Sequence, residues 1–285
     1  MQVTGLLAEL KRQGGIASEQ QFKELQQALG SSFKDTINWL LAQTQTWAVA
    51  PISSFHVAAL VKAKNSQGDV FYAVGVNVEL AGLGLEVSTH AEQCALHNAW
   101  LHGATEIEHI YISAAPCGHC RQFINEFKGA KNIAITIGDK STTLNELLPQ
   151  AFGPVDLGVE QPLLGNAASH HDESRSLHHH FAQSYAPYSG GKAAVAIEYE
   201  GASYFGRYME NAAFNPSFSP MQAALSQIVL ANQEVDFSAI TAVTLLEQQA
   251  GKSHLGASKT VLAQLAPHAQ FNYELLSSSC APAIT

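Results

Sequence analysis

The feature that most constrains this chain is His90-Ala91-Glu92, followed downstream by Pro116-Cys117-Gly118-His119-Cys120. One imidazole and two thiols make three candidate ligands for a tetrahedral zinc. Three protein ligands leave a fourth position for water, the arrangement of catalytic rather than structural zinc. Glu92, two residues past the histidine, is placed to handle the proton of that water without binding the metal. Any fold this chain adopts must bring these distant side chains to one point. C-x-x-C alone also fits a redox pair or half of a zinc knuckle, and a structural site would need a fourth ligand from His97, His102, His109 or His119. Proline before the first cysteine and glutamate after the histidine serve no purpose in a structural site, and they favour the catalytic one.

The remaining bulk properties narrow the substrate. A chain of 285 residues can bury one large core or two ordinary ones. Its net charge is −9, with 15 Lys and Arg. A polyanion-handling enzyme usually carries a basic face, so the balance disfavours a DNA or RNA strand and favours a small, uncharged substrate. Of the four cysteines, Cys117 and Cys120 form the C-x-x-C pair, while Cys94 and Cys280 stand apart. That usage suits metal binding in a reducing compartment rather than a disulfide framework. The N-terminus has no signal-peptide pattern, and no apolar run approaches the roughly 20 residues of a membrane span. The expectation is a cytoplasmic protein with no membrane partner.

Residues 1–50 read as helical, with capping-box spacing at Ser18 and Gln21 and a second helix around 36–48. The period then becomes that of strands: Phe55–Ala63 and Val70–Val78 flank a hairpin turn at Asn65–Asp69. A helix over His90–Leu101 is closed by Gly103. A strand at Ile107–Ser113, a helix at Gly118–Phe127, a strand at Ile133–Ile137 and a short helix near Leu144–Leu148 follow. Strands alternating with helices imply an α/β layered sheet. His90 and Glu92 would open one helix and Cys117 and Cys120 another, where helix N-termini favour thiolate over thiol. Residues 154–191 form a break. The run Ser169–Ser174 and the triplet His178–His180 in it read as linker and helix surface rather than as metal sites.

The second half repeats the first. Pro187-Tyr188-Ser189 echoes Pro51-Ile52-Ser53, strands at Ala193–Tyr199 and Tyr204–Tyr208 flank a Glu200-Gly201 turn, and Gln222–Leu225 corresponds to Gln93–Leu96. Yet Ser219 stands where His90 was, Met221 where Glu92 was, and no cysteine lies between Cys120 and Cys280. The second copy kept its packing positions and cannot hold this zinc.

At this point the chain resembles the two-domain homodimeric cytidine deaminases. The likeness is carried by Ser54-Phe55, Asn77-Val78-Glu79, His90–Gln93, Pro116–Phe123 and Glu210–Pro216, so it covers both halves. The resemblance implies a three-layer α/β/α mixed sheet, duplicated, with an active first copy, a degenerate second copy and an N-terminal helical segment. The expected division is 1–35 helical, 36–153 catalytic, 154–171 linker and 172–285 non-catalytic. It implies one zinc per chain on His90, Cys117 and Cys120, with Glu92 as proton shuttle. It further implies that Asn77, Val78 and Glu79 address the ribose, Phe55 the pyrimidine ring, and the Ala91 N–H the base carbonyl. Ala212, Ala213 and Phe214 would help to close the partner subunit's site in a homodimer. The implied reaction is hydrolytic deamination of cytidine and 2′-deoxycytidine in pyrimidine salvage. A nucleotide or polynucleotide deaminase, and a non-catalytic zinc-stabilised module, are the competing readings.

Overall fold

The computed structural model describes residues 3–165 and 176–277; the run Ser169–Ser174 and Cys280 lie outside them. Two compact units are present. Among the described residues, the first takes 3–165 with Asn211–Pro216 and Ser226–Val235, and the second takes 176–210, Ser217–Leu225 and 236–277.

The first unit opens with α1 (Val3–Arg12), β1 (Ile16–Ser18), α2 (Glu19–Leu29) and α3 (Phe33–Gln45). Ser18 and Gln21 form a capping box at the start of α2, and Gly30 ends it in the left-handed region. The all-helical expectation for 1–50 is corrected by β1. Gly14 and Gly15, both at positive φ, end α1 and turn the chain into a strand that pairs antiparallel with the sheet, Ile16 opposite Ala73.

The other strands are β2 (Ala58–Lys64), β3 (Val70–Val76), β4 (Glu106–Ile112), β5 (Ala134–Ile137) and β6 (Lys140–Thr143). Their order is β1-β3-β2-β4-β5-β6, with β4–β5 the parallel pair. β2 begins at Ala58, not Phe55. The chain turns through Ser54 at φ 56, and Phe55 is 61% exposed.

Successive residues of β3 face opposite layers. Tyr72 stacks on Phe22 of α2, with ring centroids 4.3 Å apart. Gly75, on the other face, meets α4 (Ala91–Leu101): a Cβ there would lie 2.0 Å from the Ala95 nitrogen. Helices therefore cover both faces of the sheet. α5 (Gly118–Ile124) and α6 (Leu144–Leu147) complete the elements before residue 150. Within residues 154–165, Pro154, Leu163 and Leu164 are buried and the Leu163 backbone bonds to Glu126 and Lys128, while Val155 and Leu157 are exposed.

Lys11 is an unusual core residue. Its ammonium donates to the Val229 carbonyl at 2.9 Å and lies over the Trp47 ring at 4.2 Å. Burial pulls its pKa down to about 8. A lysine whose folded pKa is below its unfolded one costs stability while protonated, and that cost disappears as pH rises from the folded to the unfolded value. The stability of the native chain is therefore expected to rise relative to Lys11→Met between about pH 8 and pH 10.5. Urea midpoints of both proteins across that range check it; parallel curves would contradict it.

The second unit contains α7 (Leu177–Ala182), β7 (Ala193–Tyr199), β8 (Ala202–Arg207), β9 (Ile240–Gln248), α9 (Leu255–Leu265) and β10 (Gln270–Leu276), and α8 (Pro220–Ala231) contributes to both units. Its sheet order β10-β9-β7-β8 reproduces β5-β4-β2-β3, again with one parallel pair. The duplication extends to detail. Gly206 of β8 meets α8 as Gly75 meets α4, with a Cβ 2.1 Å from the Pro220 oxygen. The register of β2 shifts at Lys62/Ala63 and that of β7 at the equivalent Glu198/Tyr199. The surface reading of the histidine triplet holds for the exposed His178 and fails for His180. The His180 ring accepts from Arg207 Nε at 3.1 Å and stacks on Phe205.

Candidate metal centre and active site

The candidate metal ligands sit at two helix starts. His90 is the N-cap of α4 and Cys117 the N-cap of α5, each with extended backbone. Cys117 Sγ accepts the Cys120 N–H at 3.5 Å, so the first turn of α5 holds both sulfurs on one side. His90 Nδ1 lies 3.5 Å from Cys117 Sγ and 3.3 Å from Cys120 Sγ, and the two sulfurs are 3.5 Å apart. A tetrahedral ion with ordinary Zn–N and Zn–S lengths separates such donors by roughly 3.5–3.8 Å. The residues present therefore fit zinc, and theirs is the one group of three or more potential metal-ligating side chains among the described residues. The contact between the two sulfurs brings Cys117 down to about 4, and the same contact with burial holds the Cys120 thiol up as a protonated group. Metal uptake would expel that proton.

None of the four other histidines near the motif joins this group. His97 is fully buried and meets Trp100 of the same helix edge to face. His102 bonds to the Asn98 carbonyl at 2.9 Å and His109 to Thr136 at 2.7 Å. His119 stacks on the His90 ring, centroids 5.1 Å apart, and so braces a ligand instead of competing for the ion.

Glu92 is 4% exposed, in the first turn of α4 and against the Cys120 side chain. Burial raises its pKa, the direction a carboxyl needs if it is to take and return protons near neutrality. Ala91, also buried, is the first helical residue, so its N–H has no intrahelical acceptor.

Asn77 and Glu79 brace the loop that carries Phe55. Asn77 Oδ1 accepts the Val57 N–H at 2.7 Å and its Nδ2 donates to the Phe55 carbonyl at 2.9 Å. Glu79 accepts the Ile52 and Ser53 N–H groups at 2.9 and 3.0 Å, together with the Ser53 hydroxyl. Burial pushes the Glu79 pKa upward, but these bonds outweigh it and hold the carboxyl below its ordinary value. Val78 between them is buried, with both backbone groups paired to Thr89. The parts played by Ser53 and Glu126 went unread in the sequence, where His119 was weighed only as a competing ligand. The signal for Glu126 was an acid amid the apolar run Phe123–Phe127.

The second copy shows which of these features are scaffold. Glu210 accepts the Tyr188 and Ser189 N–H groups at 2.8 and 3.0 Å, just as Glu79 does in the first. This bracing is a property of the fold, present without any metal ligands. Ser219 and Met221 stand at the His90 and Glu92 positions. His254, the N-cap of α9, stands at that of Cys117. The ammonium of Lys252 lies against that histidine. It donates to the Gly191 carbonyl at 2.7 Å, sits 2.9 Å from His254 Nε2 and lies over the Tyr208 ring.

A three-ligand metal site with a buried carboxyl beside it, set at two helix N-termini on a mixed α/β sheet, defines a metal-dependent hydrolase. Residues 36–136 and 144–259 each match the family described as "Cytidine and deoxycytidylate deaminase zinc-binding region". Proteins named cytidine deaminase are similar over most of the chain. That of Shewanella pealeana is 42% identical, covering 88% of this chain and 86% of its own, and that of Shewanella loihica is 43% identical, covering 87% and 85%. That of Shewanella amazonensis is 46% identical over 78% of this chain and 76% of its own. The chain belongs to the zinc-dependent cytidine deaminase family.

Proposed function

We propose that this protein hydrolytically deaminates cytidine and 2′-deoxycytidine to the uridines, releasing ammonia. The observation that carries the reading is the triangle of His90, Cys117 and Cys120 with the buried carboxyl of Glu92 beside it. His90, Cys117 and Cys120 hold one zinc per chain, and two thiolates offset its charge. The ion supplies a water acidified from a pKa of 15.7 to about 7, a nucleophile for C4 of the pyrimidine. Glu92 accepts a proton and delivers it to N3, which makes C4 electrophilic. It then carries a proton to the departing amine. Burial keeps water from competing for that carboxyl.

The Ala91 N–H addresses the base carbonyl. Phe55, exposed on its braced loop, covers the ring. Asn77 and Glu79, aligned by the buried Val78, address the ribose hydroxyls and exchange part of their loop bonding for them. A site that pairs its polar groups with a hydroxyl rejects ligands lacking it, so free cytosine is a poor substrate. The first copy, spanning 36–153, does the chemistry, and the second, 172–285, is inert.

Ile52, on the loop that Glu79 braces, and Leu85, on the loop leading to His90, are exposed like Phe55, and so is Phe214, held at φ 61. Exposed apolar side chains of this kind suit a partner surface. They support a homodimer in which Ala213 and Phe214 reach the partner subunit's site, with Ala212, buried, as their anchor. The acidic balance supports a free nucleoside over a nucleic-acid strand, and we place the reaction in cytoplasmic pyrimidine salvage.

Adding cytidine to zinc-loaded protein should release ammonia and convert the ultraviolet spectrum to that of uridine. Turnover should fall at least tenfold for cytidine monophosphate, because Arg121, the basic residue beside the motif, is engaged with the Pro116 and Leu147 carbonyls. No turnover of cytidine by metal-loaded protein would sink the assignment.

A further inference from the structure

Residues 211–216 belong to the first compact unit although they follow β8 in sequence. They touch both helices that carry metal ligands. On α4, Gln93 Nε2 donates to the Pro216 carbonyl at 3.3 Å, while its Oε1 accepts the His90 N–H at 3.3 Å. One side chain thus joins the segment to the backbone of a ligand. At α5, Asn211 Nδ2 donates to the Gln122 carbonyl at 3.0 Å. Just past that helix, the Glu126 carboxylate accepts the Ala212 N–H at 2.9 Å. Asn211 Oδ1 also accepts the Ala213 N–H, so the segment is shaped by the residue that anchors it.

Gln93 is 1% exposed, and Glu126 and Asn211 are fully buried. Burying a carboxylate and two amides is costly unless each is paired, and here the pairing runs across this segment. α5 has seven residues, too few to be stable alone, so its position depends on what it is packed against. Yet both sulfurs on α5 must stay within a few ångströms of an imidazole on α4. Supporting groups behind metal ligands are worth roughly 10–100-fold in affinity.

We propose that Asn211–Pro216 is a strap fixing α4 and α5 at the spacing the zinc ligands require, with Gln93, Asn211 and Glu126 as its positioning residues. The proposal rests on the zinc reading of His90, Cys117 and Cys120. It also gives the chain a use for its inert copy, which delivers the strap.

The test is zinc release from the full-length protein into a chromogenic chelator, which needs no substrate and so stands apart from the deaminase assay. Asn211→Ala and Glu126→Ala should release zinc about tenfold faster or more than the native chain. Turnover lost on release should return with added zinc. Glu126→Gln keeps an oxygen for the Ala212 N–H and should release zinc at close to the native rate. A merely structural role would lower the urea midpoint without this selective rescue. The proposal is overturned if folded Asn211→Ala holds zinc as the native chain does, or if Glu126→Gln releases it as fast as Glu126→Ala.

Discussion

Glu92→Ala should lower cytidine turnover by about ten-thousand-fold, the upper range for a positioned proton-transfer group, while metal analysis still finds one zinc per chain. The two halves of this expectation have separate causes. The carboxyl lies beside the ligand triangle without belonging to it, so its removal leaves His90, Cys117 and Cys120 in place. What would be lost, on the proposed mechanism, is the group that moves protons between water, ring nitrogen and leaving amine. Because Glu92 is buried, bulk water is a poor substitute. Cys117→Ala differs in kind, losing metal and activity together. A Glu92→Ala protein that keeps a tenth of native turnover would remove this residue from the mechanism.

Gly75→Ala should destabilise the chain by about 3 kcal/mol, the upper end for overpacking a core, and should also reduce zinc retention and turnover. A Cβ at this position would lie 2.0 Å from the Ala95 nitrogen and 2.5 Å from the Ala91 carbonyl oxygen, so the clash is with backbone and no side chain can step aside. α4 must lift from β3, and α4 carries His90 at its cap and Glu92 in its first turn. Gly206→Ala makes the same collision in the second copy, against the Pro220 oxygen and the Ala224 nitrogen, where the helix bears no metal ligand. The pair separates packing from chemistry: both variants should melt earlier, and Gly75→Ala should lose more zinc at matched stability. Urea midpoints with metal analysis read both effects. A native midpoint for Gly75→Ala would show that the helix does not sit where it is described.

The legibility of this protein varied with the range of the interaction. His90, Glu92, Cys117 and Cys120 were readable because zinc chemistry restricts ligand type and spacing so tightly. The caps at Ser18 and Cys117 were readable because they act within one turn. β1 was missed, since three residues between two helices carry almost no periodic signal and only the Gly14-Gly15 break marks them. His180 was read as surface, yet Arg207 and Phe205, distant in sequence, bury it. Glu79 was read for a ligand alone, while Ser53 and Ile52 already share its oxygens.

By itself the sequence determined the donor set, the acid beside it and the loss of both in the second copy, because the identity of a coordinating atom is a property of one residue. Tertiary structure alone decided that Asn211–Pro216 joins the first unit, that Gly75 lets a helix backbone touch a strand, and that the Lys252 ammonium reaches the Gly191 carbonyl. Each of these depends on atoms brought together from far along the chain, and such proximity leaves no pattern that local spacing can show.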